Sequence, residues 1–176
     1  RRLRQLQQAV KICNDKNIPV RVLGFGSNLL VDDNGFRGAV IKLEGDFTKW
    51  DFQDTELKAW GGANLSKLVL DCVRKGLSGL EALTGIPGSV GGAVKMNAGG
   101  NFGDIGASVE SVTLMDSQGE VFTKTKPELT FDYRQTNITA RFILAANIKL
   151  TKAEPEQMLG TIKEIWFLKK NTQPDR

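Results

Sequence analysis

Ten of the nineteen glycines of this chain fall within residues 76–106, where they alternate with apolar residues: GLSGLEALTGIPGSVGGAVKMNAGGNFGDIG. Flexible linkers pair glycine with polar residues and lack Leu, Ile, Val and Met at this density. Glycine set among hydrophobics places bare backbone close against another backbone or against a ligand. The segment is therefore part of a packed structure, and the elements on either side must supply its scaffold.

Before it, Leu3, Leu6, Val10 and Cys13 recur at three- and four-residue steps, which predicts an amphipathic helix over residues 2–14. Residues 19–23 and 38–43 read as short strands, and Glu56 to Trp60 as a third. Asn64 is placed to cap a helix over 65–75 with Leu65, Leu68, Val69, Cys72 and Val73 on one side and Gly76 as its stop. After it, 109–115 and 120–125 read as two strands of a hairpin joined through Asp116 to Gly119. Pro127 opens a short helical turn, Arg141 to Leu150 forms a long strand, and a helix starts at Pro155 with Met158, Leu159, Ile162, Ile165 and Trp166 at helical spacing. The three tryptophans read as packing residues and Lys169-Lys170 as a solvated helix face. The fold class expected is α+β: a small α/β piece, then a mainly antiparallel sheet flanked by helices.

Composition narrows the chemistry. There is no histidine, so a Ser-His-Asp or Cys-His pair and an imidazole metal site are excluded. Cys13 and Cys72 cannot build a four-ligand zinc or iron–sulfur site, and no metal is expected. Two lone cysteines and no export signal fit a reducing, cytoplasmic setting. No apolar run approaches the roughly 18 residues of a membrane span. The net charge of +4 resides at the ends, in Arg1, Arg2 and Arg4 and in residues 163–176, and a single tyrosine is available for base stacking. That distribution argues against a nucleic-acid surface.

Three segments could carry chemistry. GFGSNL (residues 24–29) follows a strand but has Leu29 where a dinucleotide fingerprint needs its third glycine, and no P-loop motif occurs. It is either an ordinary tight turn or a concavity of N–H groups suited to phosphate. GIPGSVGGA (85–93) fixes a turn at Pro87-Gly88, offers Ser89 as a cap, and leaves a side-chain-free surface at Gly91-Gly92, with NAGG at 97–100 repeating the theme. Ligand contact and close helix–strand packing explain these glycines equally well. FDYR (131–134) holds the lone tyrosine beside Arg134, whose guanidinium either faces a carboxylate or developing oxyanion or makes a surface salt bridge with Asp132 or Glu128.

Together these segments resemble the flavin-binding region of the UDP-N-acetylenolpyruvoylglucosamine reductase family. The resemblance runs in order through VLGFGSNLL (22–30), GLSGLE (76–81), GIPGSVGGA (85–93), MNAG (96–99) and FDYR (131–134). It implies a p-cresol methylhydroxylase-like FAD-binding fold of two subdomains. Here these would be 1–45 and 46–152, with 153–176 leading into a C-terminal substrate domain. FAD would be held by Gly24, Gly26, Ser27, Asn28 and Leu29 at the pyrophosphate. Ile86, Pro87, Gly88, Ser89, Gly91, Gly92, Asn97, Ala98 and Gly99 would line the rest of it. Arg134, with Tyr133, would carry the catalytic role. NADPH would be the reductant and UDP-N-acetylglucosamine enolpyruvate the substrate, in peptidoglycan precursor synthesis.

Two departures from the family follow from the residues. Phe25 replaces a usually small residue. The family's proton-donating serine and catalytic glutamate belong to a domain expected after Gln173-Pro174, and its N-terminal Thr- and Gly-containing segment is missing. The chain is therefore expected to be incomplete and, alone, not to turn over. The alternatives are an FAD-binding module without activity, or another FAD oxidoreductase of the same fold.

Overall fold

The computed structural model describes residues 2–172. Arg1 and the Gln173-Pro174 pair lie outside the described residues.

Helix α1 (Arg2–Asp15) turns Leu6, Val10 and Cys13 inward, as the apolar spacing requires. It is tied to the distant 116–120 turn by Gln7 Nε2 donating to the Gly119 carbonyl at 2.8 Å and Asn14 Nδ2 to the Ser117 carbonyl at 2.6 Å. Strands β1 (Val20–Leu23) and β2 (Ala39–Lys42) pair in parallel, Val20 opposite Ala39 and Leu23 opposite Lys42. The residues between them, 25–38, are all exposed.

The main sheet begins with the hairpin β3 (Trp50–Gln53) and β4 (Glu56–Trp60). β3 was not expected. It is a four-residue edge strand whose Asp51 and Gln53 side chains face solvent, so little apolar signal marks it. Helix α2 (Leu65–Arg74) follows, capped as expected: Asn64 Oδ1 accepts from the Lys67 N–H at 2.9 Å. Gly76, at φ +65°, takes the left-handed position after the helix that a side chain would resist. Helix α3 (Val90–Lys95) is capped by Ser89, whose Oγ accepts from the Gly92 N–H at 3.2 Å.

Strands β5 (Val109–Met115), β6 (Val121–Thr125) and β7 (Phe142–Lys149) complete an antiparallel sheet in the order β3-β4-β7-β5-β6. The central strand β7 is buried without interruption from Phe142 to Ala146 because both faces of the sheet are covered. Phe142 and Leu144 pack with Met115 against α1 and β1. Ile143, Ala146 and Ile148 pack with Val112 and Leu114 against α2 and α3. Filling both faces with side chains of this size, each worth about 1.5–3 kcal/mol when fully buried, makes β7 the axis of the molecule. The architecture is α+β, an antiparallel sheet flanked by helices, as expected from the sequence.

Helix α4 (Pro155–Thr172) corrects two expectations. Met158, Ile162 and Ile165 are buried, but Trp166 is 57% and Leu159 45% exposed. At about 100° per residue these two lie roughly 70–90° round the helix from the centre of the buried stripe. Lys169 falls on that stripe rather than on a solvated face. Its Nζ donates to the Thr84 carbonyl, and burial lowers its pKa. Trp60 does pack, edge-on to Phe47 with ring centroids 5.6 Å apart, and Trp50 Nε1 donates to Asp71 Oδ2 at 2.8 Å. No described helix is long and apolar enough to cross a membrane.

Candidate functional site

Folding brings the first two glycine segments face to face. Ser27 Oγ donates to the Pro87 carbonyl at 3.0 Å. A Cβ on Gly24 would stand 2.6 Å from Ser89 Oγ, so only bare backbone fits there. Gly88, at φ +142°, passes beneath Ser27, whose Oγ would lie 3.2 Å from an added Cβ. Gly24, Ser27, Gly88 and Ser89 thus form one wall.

Beside that wall a cleft of about 460 Å³ opens between the β1–β2 pair and the main sheet. Its lining includes Arg21, Lys42, Lys95 and Arg141, together with Phe25 and the backbones of Gly61, Gly62, Gly91 and Gly92. No carboxylate is among the described lining residues, although Glu44 pairs with Lys42 at 3.3 Å. Lys95 Nζ donates to the Ile138 carbonyl, so with Lys42 paired to Glu44 it is Arg21 and Arg141 that leave the concavity a net positive charge suited to a phosphorylated ligand.

The backbone donors near the cleft divide into used and unused ones. At the start of α3, Val90 N donates to the Ala63 carbonyl at 2.9 Å and Gly91 N to the Gly61 carbonyl at 2.8 Å, while Ser89 takes Gly92 N. That helix end is closed. Among the described residues, the N–H groups of Phe25, Gly26, Ser27 and Asn28 find no protein acceptor. On this exposed loop those N–H groups are open to solvent and available to an anion.

The two readings of the glycine-rich segment each apply to different residues. A Cβ on Gly91 would meet the Gly61 carbonyl at 2.9 Å, and one on Gly61 would meet the Ile143 carbonyl at 2.0 Å. Gly99 is equally tight, 2.4 Å from the Gly103 carbonyl. Packing fixes these three as glycine, and the backbones of Gly61 and Gly91 also line the cleft. Gly92 is exposed to the cleft, with Ser89 Oγ at 3.4 Å as its nearest neighbour, and offers the bare surface a ligand needs.

The third segment forms a small hairpin, Phe131–Asp132 pairing with Gln135–Thr136. Tyr133 and Arg134 are its tip. Tyr133 is 85% exposed, and Arg134 is exposed with φ +56°, a conformation rare for a non-glycine residue. The surface salt bridge considered for Arg134 does not form. Asp132 Oδ1 accepts from the Tyr133 N–H at 2.7 Å. Glu128 accepts from the Thr125 N–H and hydroxyl, which hold its carboxyl below the usual range. Instead Arg134 Nη2 donates to Asn28 Oδ1 at 3.0 Å. The arginine tip therefore touches the loop whose N–H groups are unpaired.

Asn97 occupies the base of that hairpin. It is buried, with φ +42°, and both ends of its amide are engaged: Nδ2 donates to the Asp132 carbonyl at 3.2 Å and Oδ1 accepts from the Gly106 N–H at 3.1 Å. Ile86 and Ala98 are half-buried against the main core, and Leu29 is 59% exposed. Of the predicted cofactor residues, Gly24, Ser89, Gly91 and Gly92 line the cleft, whereas Gly26, Ser27, Asn28, Leu29, Ile86, Pro87, Gly88, residues 97–99, Tyr133 and Arg134 are outside its lining.

Several lining residues were not anticipated: Gly61, Gly62, Arg21, Lys42, Lys95 and the 139–141 run. Gly61-Gly62 had a signal, a glycine pair between a strand and a helix cap. The cations had none, because only tertiary packing converges them. Thr84 Oγ1 is buried without a hydrogen-bond partner beside the carbonyl that Lys169 holds.

A family model described as an FAD binding domain matches residues 1–125. The chain is 34% identical over 172 residues to the UDP-N-acetylenolpyruvoylglucosamine reductase of Clostridioides difficile (strain 630), covering 97% of this chain and 57% of that protein. It is 38% identical over 178 residues to the reductase of that name from Syntrophus aciditrophicus (strain SB), covering 98% and 57%. Among solved structures, the UDP-N-acetylenolpyruvylglucosamine reductase of Thermus caldophilus superposes with a TM-score of 0.84 at 36% identity, over 99% of this chain and 62% of that one. The chain thus spans a little over half the length of the relatives it matches.

Proposed function

The chain belongs to the FAD binding domain family, and from that premise we propose that it seats FAD in the cleft beside β1 and β2. We further propose that it serves the NADPH-dependent reduction of UDP-N-acetylglucosamine enolpyruvate to UDP-N-acetylmuramate, a step of peptidoglycan precursor synthesis. The observation that carries the reading is the row of unpaired N–H groups from Phe25 to Asn28 beside a cation-lined, carboxylate-free cleft. A pyrophosphate needs such donors and cations, and a flat ring system needs the bare backbone of Gly92.

In this reading residues 24–29 hold the pyrophosphate, and Gly24 and Gly88 keep the wall free of side chains. Residues 86–92 line the rest of the cofactor, with Ser89 keeping the turn into α3 in place. Residues 97–99 support the same surface from behind, Asn97 by bracing the 131–136 hairpin. When bound and reduced by NADPH, the flavin would supply a hydride to the enolpyruvyl double bond, and the accompanying proton would come from the serine that the family resemblance implies in its substrate domain. Hydride addition puts negative charge on the carbon chain next to the substrate carboxylate, and Arg134, held at the hairpin tip beside Tyr133, is the fixed cation for that charge. Donors aimed at charge present only in the transition state are typically worth 10²–10³ in rate, on the order of 3–4 kcal/mol.

The test is a titration of the purified chain with FAD, followed by visible absorbance and flavin fluorescence. A yellow complex that weakens with rising salt, and whose visible band NADPH bleaches, is the expected result. A preparation that stays colourless and cannot be reconstituted would overturn the reading. A yellow complex inert to NADPH would overturn the reductant alone.

A further inference from the structure

We infer that the Arg134–Asn28 hydrogen bond is a latch between the 131–136 hairpin and the 24–29 loop, one that turns the Asn28 amide so that its donors face an anionic ligand. This rests on the proposal that the loop holds the FAD pyrophosphate. Arg134 is then a positioning residue for the loop in addition to any role toward substrate.

The hairpin is the rigid partner. Asn97 grips it from below through the Asp132 carbonyl. Asn137 closes its neck, accepting from the Thr130 N–H at 3.0 Å and donating to the Glu128 carbonyl at 2.9 Å. Phe131 lies so close to Gly106 that an added Cβ would stand 2.4 Å from the ring. Surroundings this constraining can hold Arg134 at φ +56°, a backbone state that persists only where the structure around it over-determines it.

The loop is the soft partner. Its side chains from Phe25 to Arg37 are all exposed. Among the described residues two hydrogen bonds join it to distant parts of the chain, Ser27 to the Pro87 carbonyl and Arg134 to Asn28. The latch lies on the same residues whose N–H groups lack acceptors. An asparagine amide has one acceptor end and one donor end. Because Arg134 can only donate, it takes the oxygen and leaves the NH₂ group facing away. Asn28 thereby presents donors, which an anion accepts and a cation does not.

Two measurements test this. In flavin-free protein, chymotrypsin cleavage within residues 25–36 reports loop opening, with thermal unfolding as a control that each variant is folded. Arg134→Met and Asn28→Ala should be cut several-fold faster than wild type. Arg134→Lys, which keeps the charge and N–H donors on one nitrogen but loses the guanidinium fork, should fall between, and Asn28→Asp, which gains a charged partner for Arg134, should be cut no faster than wild type. Equal cleavage rates across the set would overturn the latch, whether or not the protein binds flavin.

The second measurement is FAD affinity by fluorescence. Asn28→Ala and Arg134→Met should each weaken binding by roughly 10-fold, and the double variant by no more than about the same factor, because both remove one interaction. Losses that multiply to about 100-fold would show independent roles and overturn the latch. Asn28→Asp should bind FAD more weakly than Asn28→Ala despite its closed loop, since it replaces the donors with negative charge. Absence of FAD binding by the wild type would instead defeat the proposed function and leave the cleavage series to decide the latch.

Discussion

Replacing Asn97 separates a structural role from a cofactor role at a position where the family resemblance implies flavin contact. The side chain is 8% exposed and its amide bridges two segments, donating to the Asp132 carbonyl and accepting from the Gly106 N–H. Asn97→Ala leaves the buried Gly106 N–H without an acceptor, at about 1–3 kcal/mol. It also places an alanine at φ +42°, in the left-handed region that Asn tolerates better, at roughly 1–2 kcal/mol. The sum is about 2–5 kcal/mol, with the Asp132 carbonyl contributing less because it lies at an exposed residue. For a chain of this size each kcal/mol moves Tm by about 2–4 °C, so a fall on the order of 10 °C is expected. Asn97→Gly removes the backbone strain but not the lost hydrogen bonds and should recover about 1 kcal/mol. Urea titration followed by tryptophan fluorescence reads both differences. A loss below about 0.5 kcal/mol for Asn97→Ala, or a glycine variant no better than alanine, would refute this reasoning. So would a variant of undiminished stability that had lost FAD affinity, since that would place the amide on the cofactor.

Gly61 and Gly92 should respond oppositely to alanine. Gly61→Ala drives a methyl to 2.0 Å from the Ile143 carbonyl on the central strand, and overpacking against backbone should cost about 3 kcal/mol or more, read as a Tm drop or loss of soluble protein. Gly92→Ala has room, with Ser89 Oγ at 3.4 Å, and should raise stability by roughly 0.5–1 kcal/mol through helix propensity while weakening FAD binding by intruding on the cleft. A Gly92→Ala variant with unchanged FAD affinity would take Gly92 off the ligand surface. Lys169 should make stability pH-dependent in a stated direction. Burial lowers its folded pKa below the ordinary 10.5, so between those two values the unfolded chain holds more protons and stability rises with pH. In the alkaline range the buried Cys72 thiol, pushed up to about 12, lowers stability as pH rises, so the Lys169 contribution is read as a difference: the stability of wild type relative to Lys169→Met should rise with pH toward 10.5. Identical slopes would mean the ammonium is not desolvated at Thr84.

Apolar spacing set α1, the buried side of α2 and the strands β4 to β7, because a 3.6- or 2-residue period is imposed by backbone geometry and needs no knowledge of the partner. The caps were legible for the same reason: Asn64 and Ser89 act on N–H groups three residues away. β3 was missed because its polar outward residues dilute the alternation. The exposure of Trp166 is not legible because a short apolar run cannot show how wide a helix's buried stripe is, and the burial of Lys169 is not, because the carbonyl it reaches belongs to an element far away in the chain.

For the site, the sequence by itself determined the segments: 24–29, 85–93, 97–100 and 131–134, each marked by glycine, Asn or Arg types whose local conformations are restricted. Which glycines pack and which stay bare was decided by tertiary structure alone, since identical residues, Gly91 and Gly92, differ only in what lies within 3 Å of an absent Cβ. The convergence of Arg21, Lys42, Lys95 and Arg141, and the meeting of Arg134 with Asn28 across 106 residues, are likewise products of the fold. Local preference acts over a few bonds, whereas a cleft is made by contacts between residues far apart in the chain, whose pairing exists only once the sheet has brought them together.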